Sequence, residues 1–156
     1  MINNDVLRSI RYILDLGDHK VAEIARLADP AFAVGKEDVR GFLLKEDEPG
    51  YLACSDAVLA HFLDGLIIHR RGRDGSLPSR PVEKRISNNV VLKKLRVAFE
   101  LRDEDLHAIL KLAEFPLSKS EVSALFRQEG HANYRECGDQ ALRHFLRGLA
   151  LRVRGA

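Results

Sequence analysis

Cys54 to Leu66 reads CSDAVLAHFLDGL, and Cys137 to Leu149 reads CGDQALRHFLRGL. Both stretches carry Cys, Asp, Leu, His-Phe-Leu and Gly-Leu in the same order. The same offset of 83 residues places Lys36, Val39, Glu46, Tyr51 and Arg71-Gly72 on Lys119, Val122, Glu129, Tyr134 and Arg154-Gly155. Nearer the start the offset is 85. There Asn3-Asn4, Val6-Leu7, Arg11, Leu16, Asp18, Ile24 and Leu27-Ala28 fall on Asn88-Asn89, Val91-Leu92, Arg96, Leu101, Asp103, Ile109 and Leu112-Ala113. Identity that keeps its order along a whole half-chain marks an internal duplication. The two-residue slip lies in the loop before the third helix, where insertions are tolerated.

Each copy reads as four short helices, and strand-like alternation is absent. The first copy opens on Val6, Leu7, Ile10, Ile13 and Leu14, the i, i+3, i+4, i+7 spacing of one buried face. Asn3-Asn4 and Asn88-Asn89 are of N-capping type, and Asp18 and Asp103 are placed to cap the second helix. Ser118 and Glu121 stand at capping-box spacing before Val122, Leu125 and Phe126. The fourth helix carries Leu59, Phe62, Leu63 and Leu66, matched by Leu142, Phe145, Leu146 and Leu149. Pro30, Pro49 and Pro116 fall between helices, where they break nothing. The expected architecture is an all-α protein of two tandem pseudo-repeated units, residues 1–71 and 88–156. Between them, residues 72–87 (GRDGSLPSRPVEKRIS) have the Gly, Pro, Ser and charge content of a linker.

The chain has 156 residues, 46% of them apolar, with 25 basic and 23 acidic side chains. That composition suits a globular protein of one or two small domains. The net charge of +2 demands neither nucleic acid nor membrane as partner. Its distribution is uneven: residues 1–68 are net negative, whereas the linker and residues 88–156 are net positive. No apolar run reaches the roughly 18–20 residues of a membrane span. The opening MINNDVL lacks the basic end and apolar stretch of a secretory signal, so a cytoplasmic location is expected.

The runs NNDVLRSIRYILDL, CSDAVLAHFLDGL, NNVVLKKLRVAFELRDED and CGDQALRHFLRGLALRVRG resemble the YehS-like family of bacterial proteins. That family carries one domain twice in tandem, and the resemblance covers nearly the whole chain. It implies a bacterial cytoplasmic setting. It brings no catalytic or binding residue, because the family has none assigned.

Residues that could carry chemistry have bland readings that fit better. Cys54 and Cys137 precede a helix, a place where thiols become reactive, but they also suit small apolar residues packed at a helix entry. His61 and His144 follow seven residues later, about 10.5 Å along a helix, too far for a Cys–His pair. A zinc site needs four ligands, and each copy offers two. Gly65 and Gly148 interrupt a helical pattern, which suggests close approach of a neighbouring helix. Arg11 and Arg96 read as interior-facing ion-pair partners of Asp18 or Asp56 and their equivalents. No Gly-rich phosphate cradle and no carboxylate pair is evident. The expectation is therefore a non-catalytic protein with no cofactor and no metal.

The leading expectation is binding of DNA or RNA, with a protein–protein interaction module as the alternative. Helix two, a connection and helix three (Asp18–Ala28 then Lys36–Lys45; Asp103–Ala113 then Lys119–Gln128) have helix-turn-helix order. Lys119, Ser123 and Arg127 on helix three, and Arg143, Arg147 and Arg154 on helix four, are the candidate contacts, being types that bond phosphates and base edges. The connection is long for that motif, and the first copy ends its third helix in Glu46-Asp47-Glu48.

Overall fold

The computed structural model describes residues 1–72 and 81–155, so Arg73, Arg80 and the rest of the central linker segment 73–80 lie outside the described residues. Among the described residues all regular structure is helical: α1 (Asn3–Leu14), α2 (Asp18–Ala25), α3 (Lys36–Leu43), α4 (Asp56–Arg71), α5 (Asn88–Ala98), α6 (Asp103–Leu112), α7 (Lys119–Leu125) and α8 (Asp139–Arg154). The helices form two compact units, Ile2–Ile86 and Ser87–Ala156. Helix starts in the two units correspond at the offsets of the duplication. The all-α tandem organisation expected from the sequence is the one observed.

Each unit has its own core. Leu59, Phe62, Leu63 and Leu66 are fully buried in the first, and Leu142, Phe145, Leu146 and Leu149 are buried in the second. Within the first unit α2 packs on both α3 and α4, and within the second α6 packs on α7 and α8. The α2–α4 crossing is possible only because position 65 has no side chain. A Cβ there would lie 1.8 Å from the carbonyl oxygen of Ile24. In the second unit a Cβ on Gly148 would lie 2.1 Å from the carbonyl oxygen of Ile109. Backbone meets backbone at both places, so the close approach read from the sequence holds in both units.

The paired asparagines do not cap their helices. The N-cap residues of α1 and α5 are Ile2 and Ser87, and Ser87 accepts from Val90 N at 3.2 Å. The asparagines lie inside the first turn and reach across the unit. Asn4 Nδ2 donates to Phe42 O (3.0 Å) and Leu52 O (2.8 Å), while its Oδ1 accepts from Cys54 N (2.9 Å). Asn89 repeats this on Leu125 O (2.9 Å), Arg135 O (2.9 Å) and Cys137 N (2.9 Å). Phe42 and Leu125 lie in the last turn of their helices, where carbonyls have no intrahelical partner, and the buried amide supplies one. Asn3 Nδ2 donates to Cys54 O (3.1 Å) and Asp56 Oδ1 (2.7 Å), and Asn88 does the same to Cys137 O (3.0 Å) and Asp139 Oδ1 (2.9 Å). In the first unit the other oxygen of Asp56 accepts from Ile86 N at 3.1 Å.

Other local expectations need correction. Asp18 and Asp103 sit at the first helical position, with Gly17 and Arg102 as the N-caps. Asp103 is instead engaged by Arg96 Nη2 at 2.8 Å, and Asp105 takes the capping role by accepting from Arg102 N (2.8 Å). The Arg96 pair lies at the surface, not in the interior, with Asp103 68% exposed. The Arg96 guanidinium stands over the Phe126 ring, 4.9 Å from its centroid, and Arg11 is exposed. Hydration of the guanidinium explains the outward placement. The capping box of Ser118 and Glu121 is present as read. The third helices are shorter than expected, ending at Leu43 and Leu125. The chain that follows takes their carbonyls: Leu52 N bonds Gly41 O (3.1 Å) and Arg135 N bonds Ala124 O (3.0 Å).

Three stability effects follow. Gly148→Ala should destabilise the protein by about 3 kcal/mol, the backbone overlap outweighing the roughly 1 kcal/mol that Ala gains in helix propensity; chemical denaturation measures it. Asn89→Asp keeps the shape but turns two donated bonds into carboxylate–carbonyl repulsion, and should cost about 3 kcal/mol or more. That loss should shrink as pH falls: a carboxyl facing two carbonyl oxygens has a raised folded-state pKa, so protonation relieves the penalty. Glu114, two residues past the end of α6, holds a left-handed conformation at φ 59. Glu114→Gly should raise the unfolding free energy by about 0.5–1 kcal/mol, read as a shift of the urea midpoint.

Candidate functional site

Helix α8 presents two unlike faces. Leu142, Phe145, Leu146 and Leu149 point into the core, and Arg143, Arg147, Arg152 and Arg154 are exposed. Arg143 and Arg147 are one turn apart. Arg147 makes no hydrogen bond or ion pair among the described residues, whereas Arg152 Nη2 bonds Asp105 Oδ1 at 2.6 Å. The duplication places Ala60 and Asp64 where α8 has Arg143 and Arg147. Ala60 is fully buried, so the corresponding face of α4 is built quite differently.

The other candidate contacts lie elsewhere. Lys119 is the first residue of α7 and is exposed, and Ser123 is half-buried one turn on. Together with Asp103, Glu104, His107 and Val122 they line a cleft of about 300 Å³ between α6 and α7. The wall opposite Lys119 and Ser123 is therefore acidic. Arg127 lies beyond the end of α7 and is exposed. The six candidates thus divide between the outer face of α8, this cleft, and the turn after α7.

Both cysteines are buried free thiols. Burial pushes the Cys54 thiol up to about 12 and the Cys137 thiol up to about 11, the neighbouring Asp56 and Asp139 adding to the effect. Each therefore stays a protonated thiol at neutral pH, the opposite of a reactive cysteine at a helix N-terminus. Their backbone N–H groups hold the asparagine side chains, so position, not reactivity, is their contribution.

One repeated feature escaped the sequence reading. His61 stacks on Phe32 with ring centroids 3.6 Å apart and planes 5° from parallel, and His144 stacks on Phe115 at 4.5 Å and 21°. Each imidazole is also tied down through Nδ1, which donates to Ala57 O (2.6 Å) or Gln140 O (2.7 Å). In the first unit Nε2 lies 3.8 Å from Asp29 Oδ2, an ion pair only when the ring is protonated. Phe32 and Phe115 are 83 residues apart, the offset of the following helices. Extending that offset back past Lys36 would have revealed the pair. The stack pins the segment after α2 or α6 onto the last helix of its unit, a packing role.

Among the described residues no three His, Cys, Asp or Glu side chains cluster as metal ligands would, and no helix is long and apolar enough to cross a membrane.

A family model described as a protein of unknown function (DUF1456) matches residues 3–72 and again 88–155. The boundaries of those two matches coincide with the two runs of four helices. The uncharacterized protein YehS of Escherichia coli (strain K12) is 48% identical over 152 residues, spanning 97% of this chain and 96% of that protein. No solved structure matches the chain. The duplicated match and the near full-length identity place the chain in the DUF1456 family, of which it carries the domain twice.

Proposed function

We propose that the protein is a non-catalytic binding protein whose second copy contacts nucleic acid through the outer face of α8. The observation that carries this reading is the pair Arg143 and Arg147, exposed one turn apart opposite a buried apolar face. Arg154 continues the same side of the helix two turns later. Guanidinium groups in that arrangement suit backbone phosphates. Charge supports the same copy: residues 88–156 carry 12 basic and 9 acidic side chains, whereas residues 1–68 carry 7 and 12. The first copy would repel a polyanion.

A helix-turn-helix contributes less to this reading. Six residues separate α6 from α7, longer than the three or four of that motif, and α7 has only 7 residues. Lys119 and Ser123 face Asp103 and Glu104 across a cleft, a poor seat for phosphate. Binding through α8 alone is backbone binding, with little discrimination between sequences.

The test is a fluorescence-anisotropy titration of labelled single- and double-stranded DNA and RNA at low and moderate salt. Wild type should bind at low salt, and R143E/R147E should weaken binding to every sequence alike. The salt dependence of log K should become shallower by about 2, the two lost phosphate contacts. If wild type binds none of these at low salt, the proposal fails and a protein-interaction module becomes the better account.

A further inference from the structure

We infer that the cleft between α6 and α7 binds a small zwitterion carrying one ammonium and one carboxylate, the chemical class of the free α-amino acids. The inference is independent of binding through α8. A volume of about 300 Å³ stands at the lower end of the range for ligand pockets, so a small molecule fits better than a drug-sized one or a folded partner. Six residues line the cleft, and their charges can be assigned. The Asp103 carboxylate is already held by Arg96 at 2.8 Å. That leaves Glu104 as the anion and Lys119 as the cation, with the imidazole of His107 and the hydroxyl of Ser123 as hydrogen-bonding groups. Val122 contributes an apolar, buried wall.

None of the Glu104, His107 and Lys119 side chains makes a hydrogen bond or ion pair among the described residues.

The same charges reject other occupants. A polyanion would meet Glu104 and Asp103. A divalent cation would meet Lys119, and no three metal-ligating side chains cluster there. A ligand with an ammonium towards Glu104 and a carboxylate towards Lys119 satisfies both walls. The first copy keeps Lys36 at the position of Lys119 but has His19 for Glu104, Ala22 for His107 and Arg40 for Ser123. It keeps a carboxylate, Asp18, at the position of Asp103 but has no counterpart of the Glu104, His107 and Ser123 side chains, so the full set of groups belongs to the second copy.

The experiment is an NMR titration of the full chain, labelled with ¹⁵N, with each free proteinogenic α-amino acid in turn. At least one should produce saturable shifts of the Glu104, His107, Lys119 and Ser123 amides. Its N-acetylated amide, which lacks both backbone charges, should not. Glu104→Gln and Lys119→Met, both at exposed positions, should each weaken the binding about tenfold or more, and R143E/R147E should leave it unchanged. Absence of a saturable shift with every amino acid, or affinity unaltered in both cleft variants, would overturn the inference.

Discussion

A buried primary amide organises each half of this protein. Asn4 and Asn89 are 2% and 9% exposed, and each makes three hydrogen bonds to backbone groups from two other parts of its unit. An amide carries two donors and one carbonyl acceptor. Here both donors meet carbonyls and the acceptor meets an N–H, so the side chain closes the end of the third helix and orders the segment that enters the fourth. A carboxylate, a hydroxyl or an apolar side chain of similar size lacks that combination. Among the described residues no buried side-chain polar atom is left without a partner, which is what makes so polar a junction tolerable in a core.

The second constraint is steric. Once the asparagine has fixed the start of the last helix, Gly65 and Gly148 let that helix cross α2 or α6 in backbone contact. The Phe–His stacks then pin the loop after the crossing. Amide, glycine and ring stack recur in both units at corresponding positions, so the duplication preserved a packing scheme and not merely a helix count. The buried cysteines belong to the same scheme, since their N–H groups complete the asparagine junction.

The copies share a core scheme and differ in the faces around it. Where α4 has Asp64 and the buried Ala60, α8 has the exposed Arg147 and Arg143. On another face, His19 and Arg40 stand where Glu104 and Ser123 stand in the second copy. Two copies of one scaffold in a single chain free one of them to carry a surface that the other lacks. The outer face of α8 and the cleft between α6 and α7 are two such surfaces, and both lie on the second copy.

Residue order alone determined the tandem duplication, the all-helical class and the helix faces. Periodicity reports burial directly, and identity at offsets of 85 and 83 residues is independent of geometry. Gly65 and Gly148 were legible for the same reason: a helix tolerates a glycine at its centre only where something else demands it. The roles of Asn4 and Asn89 were not legible. Residue type and position suggested a cap for their own helix, and only the packed unit brings the carbonyls of Phe42 and Leu125 within reach. The candidate contacts divided in the same way. Arg143 and Arg147 could be placed outward from the apolar register of their own helix. Lys119 and Ser123 could not be assigned surroundings, because the acidic wall they face comes from a helix more than ten residues earlier, and such distant neighbours are fixed only when the chain folds.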